Sequence, residues 1–314
     1  MAEIHRFCRQ RELWTLLAFS AGRGEVSHPK SGALPFNFGR EDVITYPITA
    51  KGIRTRVVES HRGAIPLICL HGVGSRADRF IPAIPGLVAA GFRVYAIDFP
   101  GHGLADKFAG IDYRARGLAD FVAGVLDELG LDHVVVAGTS LGGHVAARLA
   151  CDRPDLVSAV VLIGTLGVAE LAEANAVDPD SVANGSEQAV RNKLGSLVSN
   201  PTMVTDAWVR EESMINSSEG AAEALRTAAA LLNVEANADR QDERLRNRLP
   251  GTPVLIVWGE DDRWTPLSMG RSSHELLPGS HFAVMPGCGH VPYFEDPASF
   301  VEIVSGFAFK EGIR

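Results

Sequence analysis

Three residue types at wide spacing carry the clearest chemistry in this chain. Ser140 lies in Gly138-Thr139-Ser140-Leu141-Gly142, directly behind the apolar run Val134-Val135-Val136-Ala137. A serine hydroxyl is a weak nucleophile at neutral pH. It needs a base to take its proton, and the base needs a carboxylate to orient it. The base candidate is His290, in Gly287-Cys288-Gly289-His290-Val291-Pro292, after the short apolar run His281–Met285. The carboxylate candidates are Glu260, Asp261 and Asp262, which follow Val254-Leu255-Ile256-Val257-Trp258. Each candidate thus follows a run that reads as a strand. In a parallel sheet the loops after the strands share one edge, where ligands bind.

The elements that must position these groups alternate. Val43 to Ile48 and Ile53 to Val58 read as a hairpin around Thr49-Ala50-Lys51-Gly52. Strands follow at 65–70, 92–97, 133–137, 159–163, 253–258 and 281–285. Helices are expected at about 76–90, 114–129, 141–151, 266–277 and 297–308. This order predicts an α/β fold with a mostly parallel sheet covered on both faces. The alternation breaks between residues 167 and 249, where the Ala-rich stretch from Ala221 to Leu232 is a strong helix former.

With these elements in place, the chain resembles the α/β-hydrolase fold superfamily over roughly residues 40 to 310. The resemblance rests on His71-Gly72-Val73-Gly74, Asp98-Phe99-Pro100-Gly101-His102-Gly103, the Ser140 elbow, Gly259-x-x-Asp262-x-x-x-Pro266 and Gly289-His290. It implies an eight-stranded sheet and a catalytic triad in the order Ser140, Asp262, His290. Family spacing selects Asp262 among the adjacent carboxylates. The strand 159–163 runs into Gly164-Thr165-Leu166-Gly167, which offers no carboxylate in its place. An oxyanion hole needs two backbone N–H groups. Leu141, after the nucleophile, supplies one, and the resemblance assigns the other to Val73.

The resemblance also divides the chain. Residues 41–166 and 250–314 form the hydrolase core, 167–249 a helical cap over the serine, and 1–40 an N-terminal helical extension and linker. Met203, Trp208, Met214 and Leu232 of the cap, with Trp264 and Val291 of the core loops, are candidates for lining the substrate pocket. His71, His102, His144 and Asp98 are expected to be structural.

The function implied is a cofactor-free serine hydrolase acting on a small apolar carboxylic ester or lactone. One alternative is carbon–carbon bond hydrolysis of ring-cleavage diketones. Those relatives usually carry Asn before the serine and Trp after the histidine, where this chain has Thr139 and Val291. They also use a cap arginine, for which Arg191 and Arg210 are the candidates. Two further alternatives are binding of a small signalling ligand with little turnover, and use of the His290–Asp262 pair as a base in non-hydrolytic chemistry.

Composition narrows the field. A net charge of −8 without long basic runs argues against nucleic acid as a partner. Cys8, Cys69, Cys151 and Cys288 have no paired spacing and read as free thiols. The ten histidines form no metal-ligand cluster, so no metal is expected. No run reaches membrane-span length. Arg6, Arg9 and Arg11 before Leu13–Phe19 loosely resemble a signal peptide, but Glu12 interrupts it. A cytoplasmic protein is therefore expected, with the N-terminal helix packed on the domain or serving a homodimer interface.

Overall fold

The computed structural model describes residues 43–313. The N-terminal segment 1–40, with its expected helix, its linker and Cys8, lies outside the described residues. The strands are β1 (Ile44–Ala50), β2 (Ile53–Glu59), β3 (Ile65–Leu70), β4 (Phe92–Ile97), β5 (Val134–Thr139), β6 (Val157–Ile163), β7 (Val254–Gly259) and β8 (His281–Met285). They form one sheet in the order β1-β2-β4-β3-β5-β6-β7-β8. β2 runs antiparallel to both β1 and β4, and the remaining pairs are parallel.

The helices among the described residues are α1 (Ile84–Ala89), α2 (Ala115–Leu129), α3 (Leu141–Asp152), α4 (Pro179–Ala183), α5 (Glu187–Leu197), α6 (Asp206–Asn216), α7 (Ala221–Ala238), α8 (Asp242–Arg248), α9 (Leu267–Leu276), α10 (Pro292–Glu295) and α11 (Pro297–Lys310). Two expectations need local correction. The β1–β2 turn is two residues, Lys51 and Gly52, not four. Both have positive φ, 52° and 76°, which matches the twist of a tight hairpin. The single helix expected at 76–90 is instead a 3-10 segment, Ala77–Ala83, followed by α1. Pro82 and Pro85 each remove a backbone donor and prevent a continuous α-helix.

Alternation along the central strands sends side chains to two cores. Ile68, Leu70, Val136, Leu162 and Ile256 pack on one face with α2, α3 and part of α7. Leu67, Cys69, Val135, Val161 and Val257 pack on the other with α1 and α11. Each such side chain contributes about 1.5–3 kcal/mol by leaving water. Between β6 and β7 the described chain contains helices and no strand. This insertion divides between the two cores: Leu225 and Leu232 of α7 join the first, and Val190, Leu194 and Val209 join the second. The insertion and the sheet belong to one compact unit.

Candidate active site

β5 ends at Thr139 and α3 begins at Leu141, so Ser140 alone makes the reversal. Its backbone has φ 55° and ψ −115°, a conformation a non-glycine residue adopts only when its surroundings enforce it. The enforcement is visible in the hydrogen bonds. Ser140 N–H donates to Ile163 O at 3.0 Å, and Ser140 O accepts from Gly143 N–H at 3.0 Å and His144 N–H at 3.1 Å. The flanking glycines are required by close approach, not by their own φ. A Cβ on Gly138 would lie 2.1 Å from Gly142 O, and one on Gly142 would lie 2.3 Å from Leu70 O.

The turn after β7 exposes Glu260 and Asp261 and buries Asp262. Asp262 Oδ1 accepts from the N–H groups of Trp264, at 2.8 Å, and Thr265, at 2.9 Å. Asp262 Oδ2 accepts from Thr265 Oγ1 at 2.8 Å and lies 2.7 Å from His290 Nδ1. The carboxylate is therefore held by the turn that carries it and presents one oxygen to the imidazole. With Nδ1–H donating to Asp262, the other ring nitrogen is left as an acceptor.

His290 is held from its other side by the insertion. Its backbone N–H donates to Leu197 O at 2.7 Å. Glu295 accepts from Gly289 N–H at 2.8 Å and from Ser199 N–H at 2.6 Å, tying the histidine loop to the end of α5. Trp264 stacks on the His290 ring at 5.9 Å and donates its indole N–H to Ser196 Oγ at 3.0 Å.

Ser140 and His290 open into the same cavity, of about 20 Å³, whose lining includes Val73, Leu197, Trp264 and Val291. Neither Val73 N–H nor Leu141 N–H donates to an acceptor among the described residues. Four of the pocket candidates lie elsewhere, which corrects that expectation. Met214 is 67% exposed because α6 turns Trp208, Val209 and Glu212 inward instead. Trp208 packs on the Arg79 guanidinium at 4.2 Å and on Phe294 at 4.7 Å. Met203 sits in the 3-10 turn Pro201–Met203, outside the cavity lining. Leu232 is core of the sheet's first face. The cap arginine candidates also lie outside: Arg191 pairs with exposed Asp206 at 2.6 Å, and Arg210 is exposed.

Behind the Val73 loop lies a buried ionic network that no sequence motif announces. Glu212 of α6 pairs with Arg79, and with Lys193 of α5 at 2.9 Å. Arg76 lies 3.5 Å from Glu212 and 2.5 Å from the exposed Glu211. Lys193 Nζ also donates to Gly74 O at 2.8 Å, next to Val73. Burial alone would raise the Glu212 pKa, but Arg79, Lys193 and Arg76 outweigh it and hold the group at about 2.

The other singled-out groups are tied into backbone. Asp98 accepts from Arg56 Nε at 2.9 Å and from the N–H groups of Ala77, at 2.8 Å, and Leu104, at 2.9 Å. His71 Nε2 accepts from Phe99 N–H at 3.0 Å, and its Nδ1 donates to Gly72 O at 2.8 Å. Burial lowers the pKa of His71 and of His144, and brings that of His102 down to about 3. Cys69, Cys151 and Cys288 are buried free thiols. Among the described residues no cluster of His, Cys, Asp and Glu is arranged to hold a metal, and no helix is long and apolar enough to cross a membrane.

The residues that sequence reading passed over are Thr265, Tyr293, Ser75 and Leu197. Thr265 carried a usable signal, since an Asp followed three residues later by Thr favours a turn closed on the carboxylate. Tyr293, Ser75 and Leu197 carried none.

Known proteins place this geometry in context. The chain is 32% identical over 233 residues to the dihydrolipoyllysine-residue acetyltransferase component of the acetoin cleaving system of Pseudomonas putida, covering 74% of this chain and 60% of that longer protein. It is 28% identical to a 2-hydroxy-6-oxononadienedioate/2-hydroxy-6-oxononatrienedioate hydrolase of Cupriavidus pinatubonensis, covering 78% of this chain and 87% of the relative. The structure of a meta-cleavage product hydrolase from Pseudomonas fluorescens superposes with a TM-score of 0.75 at 24% identity, over 87% of this chain and 99% of that one. The family model described as alpha/beta hydrolase fold matches residues 65–297. That span runs from β3 to the start of α11 and takes in the serine turn and the loops after β7 and β8, so the chain belongs to the alpha/beta hydrolase fold family.

Proposed function

We propose that this protein is a serine hydrolase that cleaves a small carboxylic ester through Ser140, His290 and Asp262. One observation carries the reading. A serine held at positive φ shares a cavity with a histidine whose Nδ1 lies 2.7 Å from a buried, fully hydrogen-bonded aspartate. His290 Nε2 takes the Ser140 proton as Oγ attacks the ester carbonyl. The N–H groups of Val73 and Leu141 hold the oxyanion. Protonated His290, steadied by Asp262, gives its proton to the leaving alcohol. Water then attacks the acyl-enzyme by the same route, releasing the acid and restoring Ser140. The β6–β7 insertion acts as the lid, through its bonds to the histidine loop. No cofactor enters these steps.

Carbon–carbon bond hydrolysis is the second reading, favoured by the similarity to the Cupriavidus and Pseudomonas fluorescens hydrolases. Against it, the cavity lining holds no arginine or lysine to meet a carboxylated diketone. The test is turnover of a p-nitrophenyl ester series of graded acyl length beside Ser140→Ala. Ser140-dependent ester turnover is expected. Silence on every ester, with turnover of a ring-cleavage diketone, would replace the ester reading with the second one.

A further inference from the structure

We infer that the cavity beside Ser140 is an acyl subsite selecting a short acyl group with a hydroxyl or keto oxygen on the carbon next to the carbonyl. This deepens the serine-ester reading above and rests on it. The cavity is a narrow, partly open pocket of about 20 Å³, room for about one water-sized group. A narrow space beside Ser140 suits the half of the substrate that stays bonded to the serine in the acyl-enzyme, while the alcohol must leave.

Its chemistry is set by three hydroxyls. Ser75, Thr139 and Tyr293 all line the cavity, and the hydroxyl oxygen of each is buried without a well-formed hydrogen bond; those of Thr139 and Tyr293 lie close enough to influence each other without completing one. Thr139 is 1% exposed and Tyr293 is 0% exposed. Buried hydroxyls are normally paired, because an unpaired one forfeits its bonds to water. Tyr293 cannot turn away to find a partner. Its ring is stacked on Phe80 at 4.1 Å and met edge-on by Phe300 at 5.8 Å. Burial pushes its phenol pKa up, so it keeps its proton and remains a donor. Thr139, beside the nucleophile, carries a hydroxyl that both donates and accepts.

A methyl and a hydroxyl are close in size, so volume does not separate a propionyl from a glycolyl group. Polarity does. The glycolyl hydroxyl pairs the orphaned groups, whereas the propionyl methyl leaves them unpaired, and a site built to hydrogen-bond rejects the analogue that cannot. Longer apolar chains meet Leu197, Trp264 and Val291.

The experiment compares kcat/KM for phenyl glycolate and phenyl propionate, each divided by its spontaneous hydrolysis rate. The corrected ratio in the unmodified protein is expected to be about tenfold in favour of glycolate. Tyr293→Phe and Thr139→Val, each isosteric and each checked by its melting temperature, should move that ratio toward one. A ratio near one in the unmodified protein, or a ratio that neither variant moves, overturns the inference and leaves the cavity as a water site. A second arm does not need turnover. In Ser140→Ala, glycolamide is expected to raise the melting temperature and propionamide at equal concentration is not. If neither of these esters nor any of the p-nitrophenyl series is hydrolysed, the serine-ester reading fails on its own. The amides then decide the subsite: stabilisation by glycolamide alone supports it, and equal stabilisation or none overturns it.

Discussion

The Asp262–Thr265–His290 cluster and the Arg76–Arg79–Lys193–Glu212 network are both buried and polar, and they differ in how they are built. In the first, the carboxylate is satisfied mainly by its own turn: two backbone N–H groups and a hydroxyl within three residues. The long-range contribution is the imidazole. In the second, almost every bond spans the core and the insertion, with partners 133 residues apart for Arg79–Glu212 and 119 for Lys193–Gly74. A locally closed cluster forms whenever its turn forms. A network assembled from distant elements exists only when the insertion is docked. The first therefore sets the orientation of the His290 ring, and the second ties the position of the insertion to the loop that carries Val73.

The largest expected effect breaks the first cluster. Asp262→Asn should keep the fold and reduce kcat by about 10⁴-fold, because the amide favours the wrong histidine tautomer. Steady-state ester kinetics on the folded variant check this, and a loss of tenfold or less would remove Asp262 from the role proposed for it.

Glu212→Gln breaks the second cluster. It leaves Arg76, Arg79 and Lys193 buried around a neutral group, and should cost about 3–5 kcal/mol in denaturant unfolding. Glu211→Gln removes a carboxylate whose side chain is 61% exposed, and should cost about 1 kcal/mol or less. Equal costs for the two would show that burial does not govern the network.

Acid should separate the contributions by pH. His102 has a folded pKa of about 3, below the ordinary histidine value of 6.5, so the unfolded chain binds more protons between those values. Stability is then lost as pH falls from about 6.5 toward 3, by at most about 1.4 kcal/mol per pH unit for each such buried histidine. Glu212 has its folded pKa lowered from 4.5 to about 2, so its contribution is present above 4.5 and lost as pH falls toward 2. Unfolding free energy measured from pH 7 to pH 3 should therefore steepen below 4.5. In Glu212→Gln that steepening should shrink.

The smallest expected effect sharpens the first cluster. Thr265→Val removes the hydroxyl that donates to Asp262 Oδ2 and leaves the two backbone donors. A single net hydrogen bond of about 1 kcal/mol corresponds to roughly a fivefold fall in kcat, with KM little changed. Serine at this position should restore the rate, which a purely packing role for the threonine methyl would not.

Ser140, Asp262 and His290 were legible in the sequence because each follows an apolar strand, and strand ends in a parallel sheet converge by topology alone. The glycines flanking Ser140 were legible as a tight turn, yet the close approach of Gly142 to Leu70 O was not, since it depends on how β3 and β5 pair. The pocket was the least legible part. Trp264 and Val291 neighbour Asp262 and His290 in sequence and reach the cavity, while Met203, Trp208 and Met214 do not. Helical periodicity finds that a helix has an apolar face, but not what that face covers.

The sequence by itself determined the strand–helix order, the serine turn and the loops that bear the carboxylate and the imidazole. These follow from local rules: strand periodicity, glycine where the backbone crowds, and turn chemistry beside an aspartate. Only the tertiary structure decided which hydroxyls are left unpaired at Ser140, that Leu197 O holds the His290 backbone, and that Glu212 gathers three cations behind Val73. Those contacts join residues far apart in the chain. Their partners are chosen by how the insertion docks on the sheet, which no local pattern encodes.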